Sequence, residues 1–499
     1  MKAKIKLEYI LLLGLVAIGL FFRLKGISTN HSFWSDEAFV AELSRDVLEG
    51  HRSIPDVLSL YNYQRLHVII TSFSFLLFGY SEFAARLPSV LFGTIGIGWA
   101  YFLAKKLSNV YGGMIAGFVY AFAQINLSYS TQAKSYAGLE LIFLIVMYLL
   151  LHINTKSTIK FHITIIFLIF LATFYHFLGI LLAIPYFILL ITYNQKKIQT
   201  IIKKPLSIVI MMIIAIVLFY ALNGVVILRS FFSGNSLFFS SNNMSLFREL
   251  IWRNYAFMSL PAIFGLLISI KRYKTWTIAL IGMIFFYVYL WIFKLHSPNI
   301  RYLLPLFGLL FVFFGIFWGS IIEIVFNKNK LLITALIILI LYAGGYKIVR
   351  KPNQYYSPNA DFFADVQNAD YKTFYKIIKT DFPQFQKNAV FNDWGDTESW
   401  YLPEKAPTAY FRKGTYDITP QKNIVDGIMV YGSLEQFLSE KAKYDYGFLI
   451  VEDWESLLPE DIKQYAKKNM KLELRVENMD VSPTDKWPLE LYSWGMEQQ

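Results

Sequence analysis

The chain has 499 residues, of which 56% are hydrophobic, 18% aromatic and only 16% charged, against roughly 25% charged in an ordinary soluble domain. A wholly soluble protein is excluded. The charge is also unevenly divided, since residues 1–349 carry 29 Lys+Arg and 11 Asp+Glu while 350–499 carry 18 and 24. The basic excess of the first part lies between apolar segments, where it reports membrane topology and not nucleic-acid binding. With no Cys, disulfides, thiolate zinc sites and a Cys nucleophile are excluded as well.

Apolar runs close to the ~20 residues needed to cross a bilayer fall at about 7–24, 87–104, 111–126, 137–152, 161–175, 177–193, 206–222, 256–270, 276–293, 302–322 and 331–346. They predict eleven spans. A further apolar stretch, 67–79, decides the orientation of everything after it. Its 13 residues are short for ~30 Å of hydrocarbon, and reading it as an interfacial helix puts Lys2, Lys4, Lys6, Lys105, Lys106, Lys156, Lys160, Lys196, Lys197, Lys203, Lys204, Lys271, Arg272, Lys274, Lys328 and Lys330 on one side. That side is then cytoplasmic. The expected arrangement is a multi-pass cell-membrane protein, its N-terminus cytoplasmic and its C-terminal part extracytoplasmic. Fifteen of these 16 inner cations are Lys, whereas nine of the 13 outer ones are Arg. Arg grips phosphate and carboxylate with a planar two-pronged donor set, so the outer face reads as a surface that handles phosphate.

The predicted domains are a membrane domain over 1–349, with a first outer loop at 25–86, and a second domain over 350–499. In the latter, 388–393, 426–431 and 446–452 read as short buried strands and 471–477 as a period-2 strand. Helical stretches at 434–443 and 458–469 lie between them. The alternation predicts a small α/β layer, without a Gly-rich phosphate loop or a metal spacing.

Six of the 11 acidic residues of the membrane part lie within 21 positions of the first outer loop: Asp36, Glu37, Glu42, Asp46, Glu49 and Asp56. Part of this is structural. Ser35 is placed to cap a helix whose first turn holds Asp36 and Glu37, where carboxylates favour the dipole, and Gly50 is a suitable stop. The chemical reading starts from what a membrane protein can do with a phosphate-bearing lipid. Moving a sugar from lipid phosphate to a hydroxyl needs a carboxylate to take the acceptor proton and cations to stabilise the departing phosphate. Neighbouring helix positions point roughly 100° apart, so of these two candidate catalytic residues Asp36 is read as the base and Glu37 as an organising or acceptor-orienting group.

Glu140, near one end of an apolar span, is a second candidate because ionisable groups there are costly and usually functional. Tyr136 shares its face one turn earlier, with Lys134 just before. His176, the group Lys294, His296 and Arg301, and the basic residues Arg65 and Arg86 complete the candidate substrate-binding set.

These residues resemble a family. SDEAFVAELSRDVLEG at 35–50 is similar to the first-loop acidic motif and following helix of the GT-C glycosyltransferases that use polyprenyl-phosphate-linked monosaccharides. That family includes protein O-mannosyltransferases and lipid A aminoarabinose transferases. GYSEFAARLPSVLFG at 79–93, SYAGLE at 135–140 and RYLLPL at 301–306 resemble further segments of it. The likeness covers about the first 325 residues. It implies a GT-C fold of about 11 transmembrane helices plus an interfacial helix, followed by the extracytoplasmic α/β domain, and an inverting transfer at the outer face with Asp36 as the matched acidic residue. Two departures stand out: Phe39 sits where the aminoarabinose transferases carry Arg, and Gln64-Arg65-Leu66 where many relatives have Pro-Pro-Leu.

The expected partners are the membrane, a polyprenyl-phosphate-linked sugar donor and a lipid, glycan or protein acceptor, with no nucleic acid. No obligatory cofactor is expected, although the hard oxygen ligands Asp36, Glu37 and Glu140 leave room for a divalent metal. A transporter or flippase of lipid-linked sugars is the alternative. Such proteins often show internal repeats and broken helices at the midplane, and no repeat is seen here. A non-catalytic scaffold would need only one span.

Overall fold

The structure, a computed structural model, describes residues 7–29, 31–60, 64–202, 213, 242–295, 299–326, 329–344, 348–350, 369–393, 395–414, 419–423, 426–452, 456–477 and 488–495. The chain divides into two compact units, 1–25 with 61–67 and 87–355, and 26–60 with 68–86 and 356–499. Residues 26–60 and 68–86 of the first outer loop are therefore part of the same unit as the C-terminal segment, and 61–67 are not.

The helices in chain order are α1 (Leu7–Leu24), α2 (Ser35–Glu49), α3 (Ile54–Leu60), α4 (Arg65–Phe78), α5 (Glu82–Leu107), α6 (Val110–Phe122), α7 (Gln124–Ser130), α8 (Tyr136–Leu150), α9 (Ile159–Tyr175) and α10 (Ala183–Ile202). They continue with α11 (Ala256–Arg272), α12 (Lys274–Phe293), α13 (Leu304–Val325) and α14 (Lys330–Gly344). Among the described residues, five helical stretches are long and apolar enough to cross a membrane: Leu7–Leu24, Glu82–Leu107, Phe177–Gln195, Lys274–Phe293 and Ile300–Val325. A sixth is added if Met244–Arg253 and Ala256–Arg272, bent by 88°, count as one broken span. The other expected spans coincide with shorter apolar helices, α6, α8, α9 and α14, and the one at 206–222, apart from residue 213, lies outside the described residues. The expected interfacial stretch is the 14-residue α4.

Small residues set the helix contacts of the first unit. On α13, a Cβ at Gly315 would lie 2.4 Å from the Gly112 carbonyl oxygen of α6, and one at Gly319 would lie 2.5 Å from the Gly112 Cα. Spacing of this kind lets two backbones approach closely where packing and not hydrophobic transfer drives association. Asn109 closes the same contact, its Nδ2 donating to the Gly319 carbonyl at 2.8 Å. On α5, Gly93 makes room for Arg23 and Gly96 for the Tyr120 ring.

The second unit contains a seven-stranded sheet in the order β3-β4-β2-β1-β5-β7-β6. The strands are β1 (Ala389–Asn392), β2 (Ala409–Phe411), β3 (Gln421–Lys422), β4 (Met429–Tyr431), β5 (Tyr446–Glu452), β6 (Lys471–Val476) and β7 (Leu489–Gly495). Strands β4, β2, β1 and β5 are parallel, and β3, β7 and β6 add antiparallel edges. Period-2 alternation sends Val390, Phe448 and Ile450 to one core, against Phe374, Tyr375 and Ile378 of α15 (Tyr371–Asp381). Phe391, Leu449 and Val451 go to the other, with Phe437 of α17 (Leu434–Lys441) and Ile462 of α18 (Glu460–Asn469). Between them in sequence lies α16 (Asp396–Tyr401). With both faces covered, β1 and β5 read as continuous apolar runs, which is why they were visible in the sequence.

Candidate functional site

In the second unit, α2 starts and stops close to expectation, but its cap differs. Trp34 occupies the N-cap position without a side-chain hydrogen bond, its carbonyl accepting from the Glu37 and Ala38 amides at 2.9 Å. Ser35 does not cap, because its hydroxyl is committed to the Asp396 Oδ2 at 3.1 Å. Gly50 ends the helix in the left-handed conformation, φ 75°, its amide donating to the Asp46 carbonyl.

The two adjacent acids then separate as the helical rotation requires. Glu37 is fully buried, and its Oε1 and Oε2 accept from Arg86 Nε at 2.9 Å and Nη2 at 3.0 Å. The His31 Nε2 lies 3.0 Å from Glu37 Oε2. Arg86 Nη1 reaches the Ile27 and His31 carbonyls at 2.6 and 3.2 Å, and its guanidinium sits 4.8 Å over the Phe33 ring. Burial by itself would raise the Glu37 carboxyl, yet Arg86 and His31 outweigh it and hold it at about 2. Burial, reinforced by Arg86, lowers the His31 pKa. Arg86 thus braces the loop to the start of α2.

Asp36 is half-buried. Its charge acts on Asp396, which burial pushes up to about 7 against the Ser35 hydrogen bond and Arg412, with Asp36 and Asp426 adding to the rise. Glu42, one to two turns along α2, is raised to about 8, first by burial and then by Asp396 and Asp46. Serines join α2 to α4: Ser44 Oγ donates to the Val68 carbonyl at 3.1 Å and Ser72 Oγ to the Ser44 carbonyl at 3.0 Å.

In the first unit, four of the predicted substrate-binding residues converge. Lys134, fully buried, lies 6.0 Å over the Tyr136 ring. Tyr136 and Tyr302 are 5.8 and 5.6 Å from the His176 ring, and Arg301 lies 5.5 Å over Tyr302. Two cations and an imidazole therefore gather around two tyrosine rings drawn from segments more than 160 positions apart. The short 3-10 turn Ile300–Leu303, opened by the Asn299 side chain accepting from the Arg301 amide, carries both Arg301 and Tyr302 into it.

Glu140 belongs to a different group although it is one turn from Tyr136. It is buried and accepts from Tyr120 Oη at 2.8 Å and Asn126 Nδ2 at 3.3 Å. Gly308 lets α13 come up against it, since a Cβ there would lie 2.7 Å from Glu140 Oε1. Arg65 is separate again, buried and 6.0 Å from the Phe174 ring, beside Gln64, whose Oε1 accepts from the Ser135 amide at 3.2 Å. His296 lies outside the described residues.

Sequence reasoning did not single out Tyr302, His31, Arg23 or Asp396. Arg23 is one of the nine outer Arg residues read as a phosphate-handling face, but it is fully buried, donating to the Gly19 and Ala121 carbonyls at 3.0 and 3.1 Å. Gly93 leaves space beside it, since a Cβ there would lie 2.4 Å from Ser130 Cβ and 3.0 Å from Arg23 Nε. Among the described residues, no three His, Cys, Asp or Glu side chains are grouped as a metal ion would need.

Comparison with known proteins bears on this arrangement. Residues 66–221 match the model of the family described as dolichyl-phosphate-mannose-protein mannosyltransferase. The chain shares its fold with ArnT. The crystal structure of ArnT from Cupriavidus metallidurans in the apo state matches with a TM-score of 0.59 and 14% identity, covering 96% of this chain and 97% of that one. The same enzyme bound to undecaprenyl phosphate gives 0.59 at 16% identity, with the same coverage. The oligosaccharyltransferase of Archaeoglobus fulgidus in the apo form matches with 0.52 and 11% identity over 88% of this chain and 69% of that one. A comparison with curated protein sequences gives no match. The similarity of fold to ArnT thus runs over 96% of this chain, beyond the first 325 residues that carry the likeness in sequence.

Proposed function

We propose that the protein is an integral-membrane glycosyltransferase that moves a monosaccharide from a polyprenyl-phosphate donor to an acceptor hydroxyl on the outer membrane face, with inversion at the sugar carbon. The observation that carries this reading is the cluster of Lys134, His176 and Arg301 around Tyr136 and Tyr302. Lys134, Tyr136 and His176 fall within the segment that matches the mannosyltransferase family model. Undecaprenyl phosphate, the ligand named for one protein of the same fold, has the chemistry these cations suit.

In the proposed step the acceptor oxygen attacks the anomeric carbon from the side opposite the phosphate. The bond from carbon to phosphate oxygen breaks, and the lipid phosphate departs with both electrons. Asp36 takes the acceptor proton, and the charge that grows on the departing phosphate calls for cations. Glu37 takes no part in proton transfer in this reading, because both of its oxygens are held by Arg86 and His31. It positions the first turn of α2. No obligatory metal is proposed, since a single phosphate can be neutralised by Lys134 and Arg301.

The test uses the full chain in sealed lipid vesicles with a polyprenyl-phosphate sugar labelled in the sugar, following release or transfer by wild type and Asp36→Asn. A loss of about 10²–10⁴-fold, the usual worth of a positioned base, is expected in the variant. Turnover equal to wild type overturns the role of Asp36. Label crossing the bilayer without turnover overturns the transferase reading in favour of a flippase. Restoration of a chelated enzyme by one divalent ion overturns the metal-free step.

A further inference from the structure

The second unit holds an open cavity of about 670 Å³ between the last turns of α2, the turn before α5 and the end of α16. Its lining combines three kinds of group that rarely share a surface. Carboxylates come from Asp46, Glu49 and Glu82, cationic donors from Arg45 and Lys372, and ring faces or edges from Tyr80, Trp400 and Tyr401. An anionic ligand would meet the acids, a bare cation would meet Arg45 and Lys372, and an apolar one would leave all five charges desolvated. A sugar fits all three kinds, with C–H faces for the aromatic rings and hydroxyls that donate to carboxylates and accept from guanidinium and ammonium groups.

The groups are also held in place before any ligand arrives. Trp400 stacks on Phe75 with centroids 5.8 Å apart and an interplanar angle of 20°, and Arg45, 5.7 Å over that ring, donates to the Ser399 carbonyl at 3.2 Å. Glu82 accepts from Tyr401, and its Oε2 lies 3.3 Å from Lys372 Nζ. Such preorganisation lowers the ordering cost of binding. At 1.5 Å per residue, Arg45 and Glu49 lie about 13 and 20 Å along α2 from Asp36. That is the reach of a short oligosaccharide.

We propose that this cavity is a carbohydrate subsite that holds a distal sugar of a glycan acceptor while a nearer hydroxyl lies at Asp36. Only the word acceptor depends on the transferase reading; carbohydrate binding stands by itself. Binding remote sugars here contributes energy that orients the reacting end.

The test measures binding of linear tetrasaccharides of glucose, glucosamine and N-acetylglucosamine to the full chain in nanodiscs without donor, by tryptophan fluorescence and saturation-transfer NMR. At least one tetrasaccharide is expected to bind, with affinity lowered about tenfold by Glu49→Gln, the worth of one charge-assisted hydrogen bond, and lowered also by Tyr80→Ala, which removes a ring contact. Both side chains are exposed, so these variants carry the test even where Trp400→Ala, which also removes the packing on Phe75, fails to fold. No binding at millimolar sugar, or binding that ignores both rim variants, overturns the proposal. A lysine-rich peptide that binds where the sugars do not overturns it in favour of a peptide site. Sugar binding in a protein that turns over no donor leaves the subsite in place and removes the acceptor assignment, so the two failures are distinguishable.

Discussion

The Arg86 guanidinium grips the Glu37 carboxylate through Nε and Nη2, one donor to each oxygen, and both side chains are fully excluded from solvent. The pair joins the start of α2 to the start of α5 across 49 positions of sequence. Removing one partner of a buried pair leaves an uncompensated charge, at a cost of about 3–5 kcal/mol. Arg86→Ala is therefore expected to lower the thermal midpoint of the full chain sharply and to reduce its yield. Glu37→Gln with Arg86→Met, which removes both charges together, is expected to recover much of the loss. Equal midpoints for the single and double variants would contradict this account.

The pH dependence of stability has two limbs of opposite sign. Asp396 is raised to about 7 and Glu398 and Glu42 to about 8, burial being the first cause in each. Between the ordinary carboxylate range and these values the folded chain holds protons that the unfolded chain has released, so stability falls as pH rises. Glu37, depressed to about 2, acts the other way: its contribution is complete above the ordinary range and lost as pH falls towards 2. The thermal midpoint is expected to be higher at pH 6 than at pH 8.5. Asp396→Asn, which keeps an acceptor for Ser35, is expected to flatten that difference, as scanning fluorimetry across the range would show.

Lys134 and Arg301 are the cations proposed for the donor phosphate. Replacing either, as Lys134→Met or Arg301→Gln, removes a charge-assisted contact of about 1.5–3 kcal/mol. Donor affinity is expected to fall about tenfold to a hundredfold, read by titration with a labelled polyprenyl-phosphate sugar. Arg65→Ala is informative beside them: unchanged donor affinity would show that Arg65 does not compensate for a basic group lost at Phe39.

The contact of α6 with α13 leaves no space for a side chain at Gly315, where a Cβ would approach the Gly112 carbonyl and the Ala116 Cβ at 2.4 and 2.7 Å. Gly315→Val must separate the two backbones. A large loss of folded protein in detergent is expected, whereas Gly14→Ala, with nothing within 4 Å of its Cβ, is expected to be tolerated.

The elements most legible in the sequence were those with strong period or strong exclusion. The helix at 35–49, its Gly50 stop, and β1 and β5 follow from local pattern alone. Strand β7 was not foreseen because Glu490 and Ser493 interrupt its apolar run, and both are buried with partners, Glu490 with Arg475 at 2.6 Å and Ser493 with Glu473 at 2.7 Å. The short strands β2 and β3 carry too few residues for any period. Lys134, Tyr136, His176 and Arg301 were chosen one by one for their types and their places at helix ends. That they converge could not be read, because it depends on helix contacts set by glycines and not by charged or apolar periodicity. Tyr302, an ordinary aromatic in an apolar segment, acquires significance only from the rings and cations around it.

The segment bearing Asp36 is held by residues made much later. Ser32 donates to Asp370 at 3.2 Å, the Phe33 amide to Tyr401 at 2.9 Å, and Ser35 to Asp396 at 3.1 Å, across 338 to 368 positions of chain. The sheet behind these partners has β5 between β1 and β7, so its middle is incomplete until residues 489–495 have been translated. During synthesis the first loop must therefore wait through the insertion of nearly every membrane helix before its lasting partners exist. Loops closed over such distances form late, and the proposed base takes up its final setting only after these distant partners have been made.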